Sequence, residues 1–278
     1  MNNQNTAIMT QEEFLLPAMV QGDFSNDELA DDMDGMQMSF PRIKIPSGGT
    51  IQFEIPTDDP ENPDYTKTLT GVILYHHPNY AYWAEGNEYD ENATPLCTSV
   101  DGKVGIGDPG GTCSTCALNE YGTASEGRGK ACKNMRMLYL LCNGEYMPYQ
   151  LALPPTSLKP FKDFINQAFL LRRRTSYGSI IQISLKKVSN GSNDYSVAVF
   201  RRILDFEGEK LAQVRAYAES FKQQVKLSLQ QRAAANEANH EDICEYVDGT
   251  PSAPQAANTG GNFCIGQTLD GEHDELPA

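Results

Sequence analysis

The chain has 278 residues, with 37 acidic against 22 basic side chains and a formal net charge of -15 at pH 7. That length fits one principal core with appended segments, and no run approaches the roughly 20 apolar residues that a membrane-spanning helix needs. Residues 1–14 hold no positive region followed by an apolar run and a small-residue cleavage site, so a cytoplasmic, reducing compartment is expected.

The charge is unevenly placed. Residues 1–39 carry 8 acidic and no basic side chains, and residues 233–278 carry 9 acidic and no basic ones. Between them, residues 40–127 are acidic, whereas residues 128–232 hold 18 basic against 7 acidic side chains. A basic half between acidic ends leaves an anionic partner open despite the negative total.

In chain order, residues 1–39 predict a mostly disordered segment, with a short helix around Glu12–Val20. FPRIKI (40–45) and IQFEI (51–55) predict paired strands, and GVILYHH (71–77) predicts a third that ends before Pro78 and the aromatic stretch NYAYW. A Gly-, Pro- and Cys-rich insert occupies about 86–134. MRMLYLLC (135–142) and YMPYQLALP (146–154) flank Asn143-Gly144, a strong hairpin signal. SLKPFKDFINQAFLL (157–171) predicts an amphipathic helix, and SIIQISLKKV (179–188) with DYSVAVFRRI (194–203) predicts a second hairpin around Asn190-Gly191. A last helix places Leu211, Val214, Ala218, Phe221 and Val225 on one stripe. From Ala233 onward the composition is that of a flexible acidic tail. Three strands, a helix and two strands follow the order of an OB fold. The expectation is therefore a mainly β chain with α: an OB-like five-stranded barrel over 40–232, an inserted zinc subdomain, an appended helix and acidic disordered tails.

Four of the seven cysteines, Cys97, Cys113, Cys116 and Cys132, are spaced C-x15-C-x2-C-x15-C. Two residues between Cys113 and Cys116 let both thiolates face one metal, and Gly110 and Gly111 supply the backbone freedom. The expectation is a closed, structural Zn2+ site that orders the insert, with Cys142 and His77 as reserve ligands and unpaired or disulfide-bonded cysteines as the alternative. Cys142 otherwise reads as strand core, and Cys244 and Cys264 as incidental tail thiols.

Single-stranded nucleic acid is held by a cationic groove with aromatic faces on which bases stack. The sequence offers Arg128, Lys130, Lys133 and Arg136 at the exit of the insert, then Arg172, Arg173, Arg174, Lys186, Lys187, Arg201 and Arg202. Candidate stacking rings are Tyr80, Tyr82, Trp83 and Tyr139. No pattern marks a catalytic nucleophile, and the adjacent His76 and His77 fall on opposite faces of a strand. The chain is expected not to be an enzyme.

With its OB-like strand order, four-cysteine insert, basic half and acidic end, the chain resembles phage-encoded single-stranded DNA-binding proteins of the zinc-containing, helix-destabilising class. The likeness is architectural and covers about residues 40–232 and the tail. It implies a protein that coats single-stranded DNA during replication or recombination inside an infected bacterial cell, with partner proteins docking on the acidic C-terminal tail and no membrane partner. Three features depart from that class: four cysteines where it uses a histidine, DELPA without a terminal aromatic, and an acidic rather than Lys-rich N-terminal segment. The competing reading is a zinc-bearing transcription or assembly adaptor that binds proteins through its acidic ends.

Overall fold

The computed structural model describes residues 10–17, 39–46, 48–83, 95–125, 127, 129–191 and 193–245, with side chains up to residue 231. The chain is mainly β with two helices. Its strands are β1 (Arg42–Ile43), β2 (Phe53–Ile55), β3 (Asp64–Thr66), β4 (Thr68–Tyr82), β5 (Cys97–Ser99), β6 (Val104–Gly107), β7 (Gly111–Thr112), β8 (Lys133–Cys142), β9 (Tyr149–Leu153), β10 (Ser179–Ser189) and β11 (Asp194–Asp205). The helices are α1 (Pro155–Ala168) and α2 (Gly208–Glu245).

Nine strands form one mixed sheet built around β4, and β2 and β3 form a separate pair. β4 is antiparallel to β8 along most of its length, from Gly71↔Cys142 to Ala81↔Lys133. On its other side β4 pairs with β10 over residues 68–71 and with β5 over residues 80–82. Pro78 falls in the stretch between those two pairings, where a missing N–H is tolerated. Gly71 is required by close approach: a Cβ there would lie 2.3 Å from the carbonyl oxygen of Leu141.

The apolar run of β8 is continuous because both faces of the sheet are covered. Leu138 and Leu140 point to one face and join Ile73, Leu151, Ile181, Ile183, Phe161 and Phe169, the last two brought by α1 and the turn after it. Met137, Tyr139 and Leu141 point to the other face and join Val72, Leu74 and Ile180 beneath Val214, Ala218, Phe221 and Val225 of α2. The stripe predicted for the last helix is therefore the stripe that is buried. Both predicted hairpins form, with Gly144 at φ +78° and Gly191 at φ +90° supplying the left-handed turn positions. α1 starts two residues earlier than predicted, because Pro155 at its first turn is pre-set for helical φ.

The five-stranded barrel is not formed. β1 lies at one edge, parallel to β9, and β11 at another, paired with β10; no ladder among the described residues joins those edges, so the sheet is open. The expected pairing of FPRIKI with IQFEI reduces to a single Lys44–Glu54 bridge, since β1 joins β9 and β2 joins β3. The insert contains β5, β6, β7 and a short 3-10 turn at Ala117–Asn119.

Residues 12–16 of the expected Glu12–Val20 helix form a turn and an irregular stretch, residues 18–20 lie outside the described residues, and the 10–17 segment is docked on the α2 face. Phe14 is fully buried with its ring 5.5 Å from that of Phe206. The Leu15 N–H donates to Asn143 Oδ1 at 2.7 Å, and the Glu207 N–H donates to Gln11 Oε1 at 2.9 Å. At the other end the predicted tail is helical to Glu245, because AAANEAN is rich in the best helix former. The chain divides into two compact units at residue 233, and the described part of the second is the helical backbone of 234–245. The remaining predicted tail, 246–278, and most of the predicted N-terminal segment lie outside the described residues. No helix among the described residues is long and apolar enough to cross a membrane.

Candidate nucleic-acid interface and thiol cluster

The four spaced cysteines meet at one place. Cys97 opens β5 opposite Tyr82 of β4 and Gly107 of β6, Cys113 and Cys116 follow β7, and Cys132 precedes β8. All four line a cavity of about 20 Å³ together with Tyr80, Tyr82, Leu118 and Asn119. Gly105 makes room for the Cys97 sulfur, which would lie 2.8 Å from a Cβ at that position.

The zinc expectation is corrected: among the described residues no group of three or more His, Cys, Asp or Glu side chains is placed to hold a metal ion. Burial, reinforced by the neighbouring cysteines, pushes the Cys97 thiol up and the Cys132 thiol up to about 11. Hydrogen bonds order the insert instead. Asn119 Nδ2 donates to the Cys113 carbonyl at 2.7 Å, Lys130 Nζ donates to Asn119 Oδ1 at 3.0 Å, and the Cys132 N–H donates to the Leu118 carbonyl at 2.9 Å. Asp101 Oδ1 accepts from the Lys103 and Val104 N–H groups and from Ser99 Oγ.

Neither reserve ligand lines that cavity. Cys142 packs with the α1 cluster, where burial pushes its thiol up to about 12. His77 is 6% exposed; its Nδ1–H donates to the Pro78 carbonyl at 2.7 Å and its Nε2 accepts from Tyr139 Oη at 3.4 Å. Burial holds the His77 pKa below its ordinary value.

The structure separates the candidate nucleic-acid residues. Tyr139 is 2% exposed and ringed by Phe40, Tyr75, His77 and Phe221, so no ring face is open to a base. Arg172, Arg174 and Arg202 converge on one carboxylate, Asp205 Oδ2, at 2.8, 3.8 and 2.9 Å. Arg173, between the first two, is the C-cap of a short 3-10 turn in left-handed conformation. Lys187 is paired with Asp194 at 2.5 Å. Lys186 and Arg201 are exposed on the α2 side of the β10–β11 hairpin, because Ile181, Ile183 and Leu185 occupy the other side and Arg201 pairs with Gln182. Arg128 lies outside the described residues.

Tyr80, Tyr82 and Arg136 share one face where β4 and β8 run out beside the thiol cavity, whereas Lys133, opposite Ala81, turns to the other face; Trp83 follows β4, and Lys130 is engaged by Asn119. Arg136 dominates that group. It sits on the α1 face, opposite Pro78 in the ladder, half-buried, with its guanidinium 5.9 Å from the Phe161 ring centre. Its Nε–H donates to His76 Nδ1 at 2.9 Å, and no carboxylate among the described residues pairs with it. Burial and the Arg136 charge hold the His76 pKa down at about 4, so its ring is a neutral acceptor that supports the cation without neutralising it. Two positions before it on the same face, Asn134 Oδ1 is buried with no hydrogen-bond partner among the described residues. The group thus offers an uncompensated, pre-oriented guanidinium beside half-exposed tyrosine rings, which is suited to a phosphate next to a stacked base. His76 was the residue missed in the sequence as a support for Arg136; it lies opposite Leu138, diagonally across the ladder from Arg136, and such a pair from two strands leaves no local signal. No family model, curated protein or solved structure matches this chain.

Proposed function

We propose that the chain binds single-stranded DNA without sequence preference, in replication or recombination, through the surface formed by Tyr80, Tyr82 and Arg136, with Trp83 and Lys133 at the adjoining strand ends. The observation that carries this is Arg136: a half-buried cation held against Phe161 and a neutral His76, with no carboxylate partner among the described residues. Keeping a desolvated charge uncompensated costs stability, and an anionic ligand recovers that cost through charge-assisted hydrogen bonds. The neighbouring tyrosines supply π faces that accept any base, which favours strands whose bases are unpaired. Within this proposal the sheet is an opened counterpart of an OB fold, and the acidic C-terminal segment is a handle for replication or recombination proteins. No step calls for catalysis.

Fluorescence anisotropy with a labelled oligothymidylate of about 20 nucleotides and a matched duplex tests the proposal. Binding to the single strand is expected to be tighter and to weaken steeply with salt. Tyr82→Ala is expected to remove about 1–3 kcal/mol, the contribution of one stacked base. Equal, poor binding of both probes would replace this reading with that of a protein adaptor.

A further inference from the structure

Beyond the β4–β8 surface, α2 carries a second row of cations that the sequence reading did not single out. At 3.6 residues per turn, Arg215, Lys222 and Lys226 fall within about 40° of arc and span roughly 16 Å along the helix. Arg215 and Lys226 are exposed and Lys222 is half-exposed. No ion pair among the described residues engages them, and Glu219 is the acid that shares their arc.

The row sits on one flank of the buried stripe, and its direction is fixed by neighbours. Tyr217 lies on the opposite flank, where Tyr146 of the β8–β9 turn is close enough to add to the upward shift that burial gives its hydroxyl. Leu211, on the cationic side of the stripe, reaches within 3.8 Å of where a Cβ of Gly178 would stand, at the entry to β10. The cationic flank therefore faces the β10 side of the sheet. That side of the sheet, on the α2 face, presents Thr70, Gln182 and Arg201 in one register row, with Lys186 further along β10.

We infer that Arg215, Lys222 and Lys226 of α2, with Lys186 and Arg201 of the β10–β11 hairpin, form a second phosphate-binding row that engages the backbone of a bound single strand. This inference rests on the proposed single-strand binding and adds where a longer strand is held. A nucleic-acid backbone is the occupant because the patch offers separated cations and amide or hydroxyl donors around the partly exposed Val199, too little apolar surface to seat a protein partner. Such a surface grips phosphates and reads no base.

The test is the salt dependence of binding to an oligothymidylate of about 20 nucleotides, for the full chain and for an R215Q/K222Q/K226Q variant. These side chains are at least partly exposed, so the fold should survive, checked by circular dichroism. Losing three phosphate contacts lowers the slope of log K against log salt by about 2, with affinity at low salt falling at least tenfold. A control, K67Q/K159Q/K162Q, removes the same charge elsewhere and should leave the slope within about 0.5 of the parent. An unchanged slope in the α2 variant, or an equal drop in the control, overturns the inference while leaving single-strand binding intact. A parent that binds no single strand overturns the underlying proposal, and this row with it.

Discussion

Asp205 is the point at which the basic half of the chain is most tightly built, and its replacement separates structural arginines from binding ones. Its Oδ2 faces Arg172, Arg202 and Arg174, its Oδ1 accepts from Ser179 Oγ at 2.6 Å, and the side chain is 12% exposed. Burial alone would raise its pKa, but the hydrogen bonds from Arg172, Ser179 and Arg202 outweigh burial and hold it at about 2. A folded pKa below the ordinary 3.8 means that the stabilisation is fully present above about pH 4 and is lost as pH falls toward 2. The shift corresponds to about 2 kcal/mol at neutral pH. In Asp205→Asn the Ser179 contact can persist, but three guanidinium groups face each other without a counter-charge, so a loss of about 2–3 kcal/mol at pH 7 is expected. Urea unfolding at pH 7 and pH 3 measures it. The deficit should shrink to roughly half at pH 3, because the unfolded parent has then largely taken up a proton at this carboxyl while the folded form has not. An equal deficit at both pH values would show that the amide disturbs packing, and a deficit under about 0.5 kcal/mol at pH 7 would show that water already screens the cluster. The corollary concerns binding: Arg172→Gln should lower stability and leave the salt slope for single-stranded DNA unchanged.

Four further outcomes are expected. His76 refuses a proton that the unfolded chain accepts, so stability should fall as pH drops from about 6.5 toward 4, and His76→Gln should flatten that part of the pH profile in chemical denaturation. Tyr139→Ala opens a cavity under α2 and should cost about 3–5 kcal/mol in denaturant unfolding, whereas Tyr139→Phe loses two long contacts, to His77 and Gln150, and should cost under about 1 kcal/mol. Phe14→Ala should destabilise by about 3 kcal/mol or more, a loss that a disordered N-terminal segment would not produce. At pH 7, Cys132 and Cys142 should react with a soluble disulfide reagent far more slowly than a free cysteine, read by absorbance stopped-flow, since burial keeps their thiols protonated.

Much of the fold was legible because its signals are local. Asn143-Gly144 and Asn190-Gly191 each demanded a left-handed position between two apolar, strand-forming runs, and both hairpins formed with their predicted strands. The stripe from Leu211 to Val225 could bury only one side of a helix, and it does. Sheet closure was not legible. Whether β11 meets β1 depends on strand tilt and stagger summed over the sheet, and no residue window carries that sum. The docking of residues 10–17 was hidden for a related reason: FLL is too short a run to stand out in a polar, acidic segment, yet Phe14 and Leu16 suffice to fill the gap between α2 and the sheet. The zinc expectation rested on spacing, and spacing did bring the four cysteines to one cavity; it did not supply the ligand geometry.

The same distinction governs the cations. Charge counted along residues 128–232 suggested one groove, but a strand alternates its side chains between faces, and a continuous basic stretch is divided as soon as it is paired. Arg136 goes to the α1 face, Lys186 and Arg201 to the α2 face, and Arg172, Arg174 and Arg202 turn inward on Asp205. The useful quantity is therefore the number of cations left without a carboxylate on each face. By that measure the strongest cation in isolation is Arg136, supported from beneath by a neutral imidazole, while the largest array is the α2 flank with its neighbouring hairpin. A single strand held at both would have its bases stacked at the β4–β8 end and its phosphates gripped along the helix. Shortening the oligonucleotide should then abolish the effect of R215Q/K222Q/K226Q before it abolishes the effect of Arg136→Ala, and the reverse order would place the primary contact on the helix.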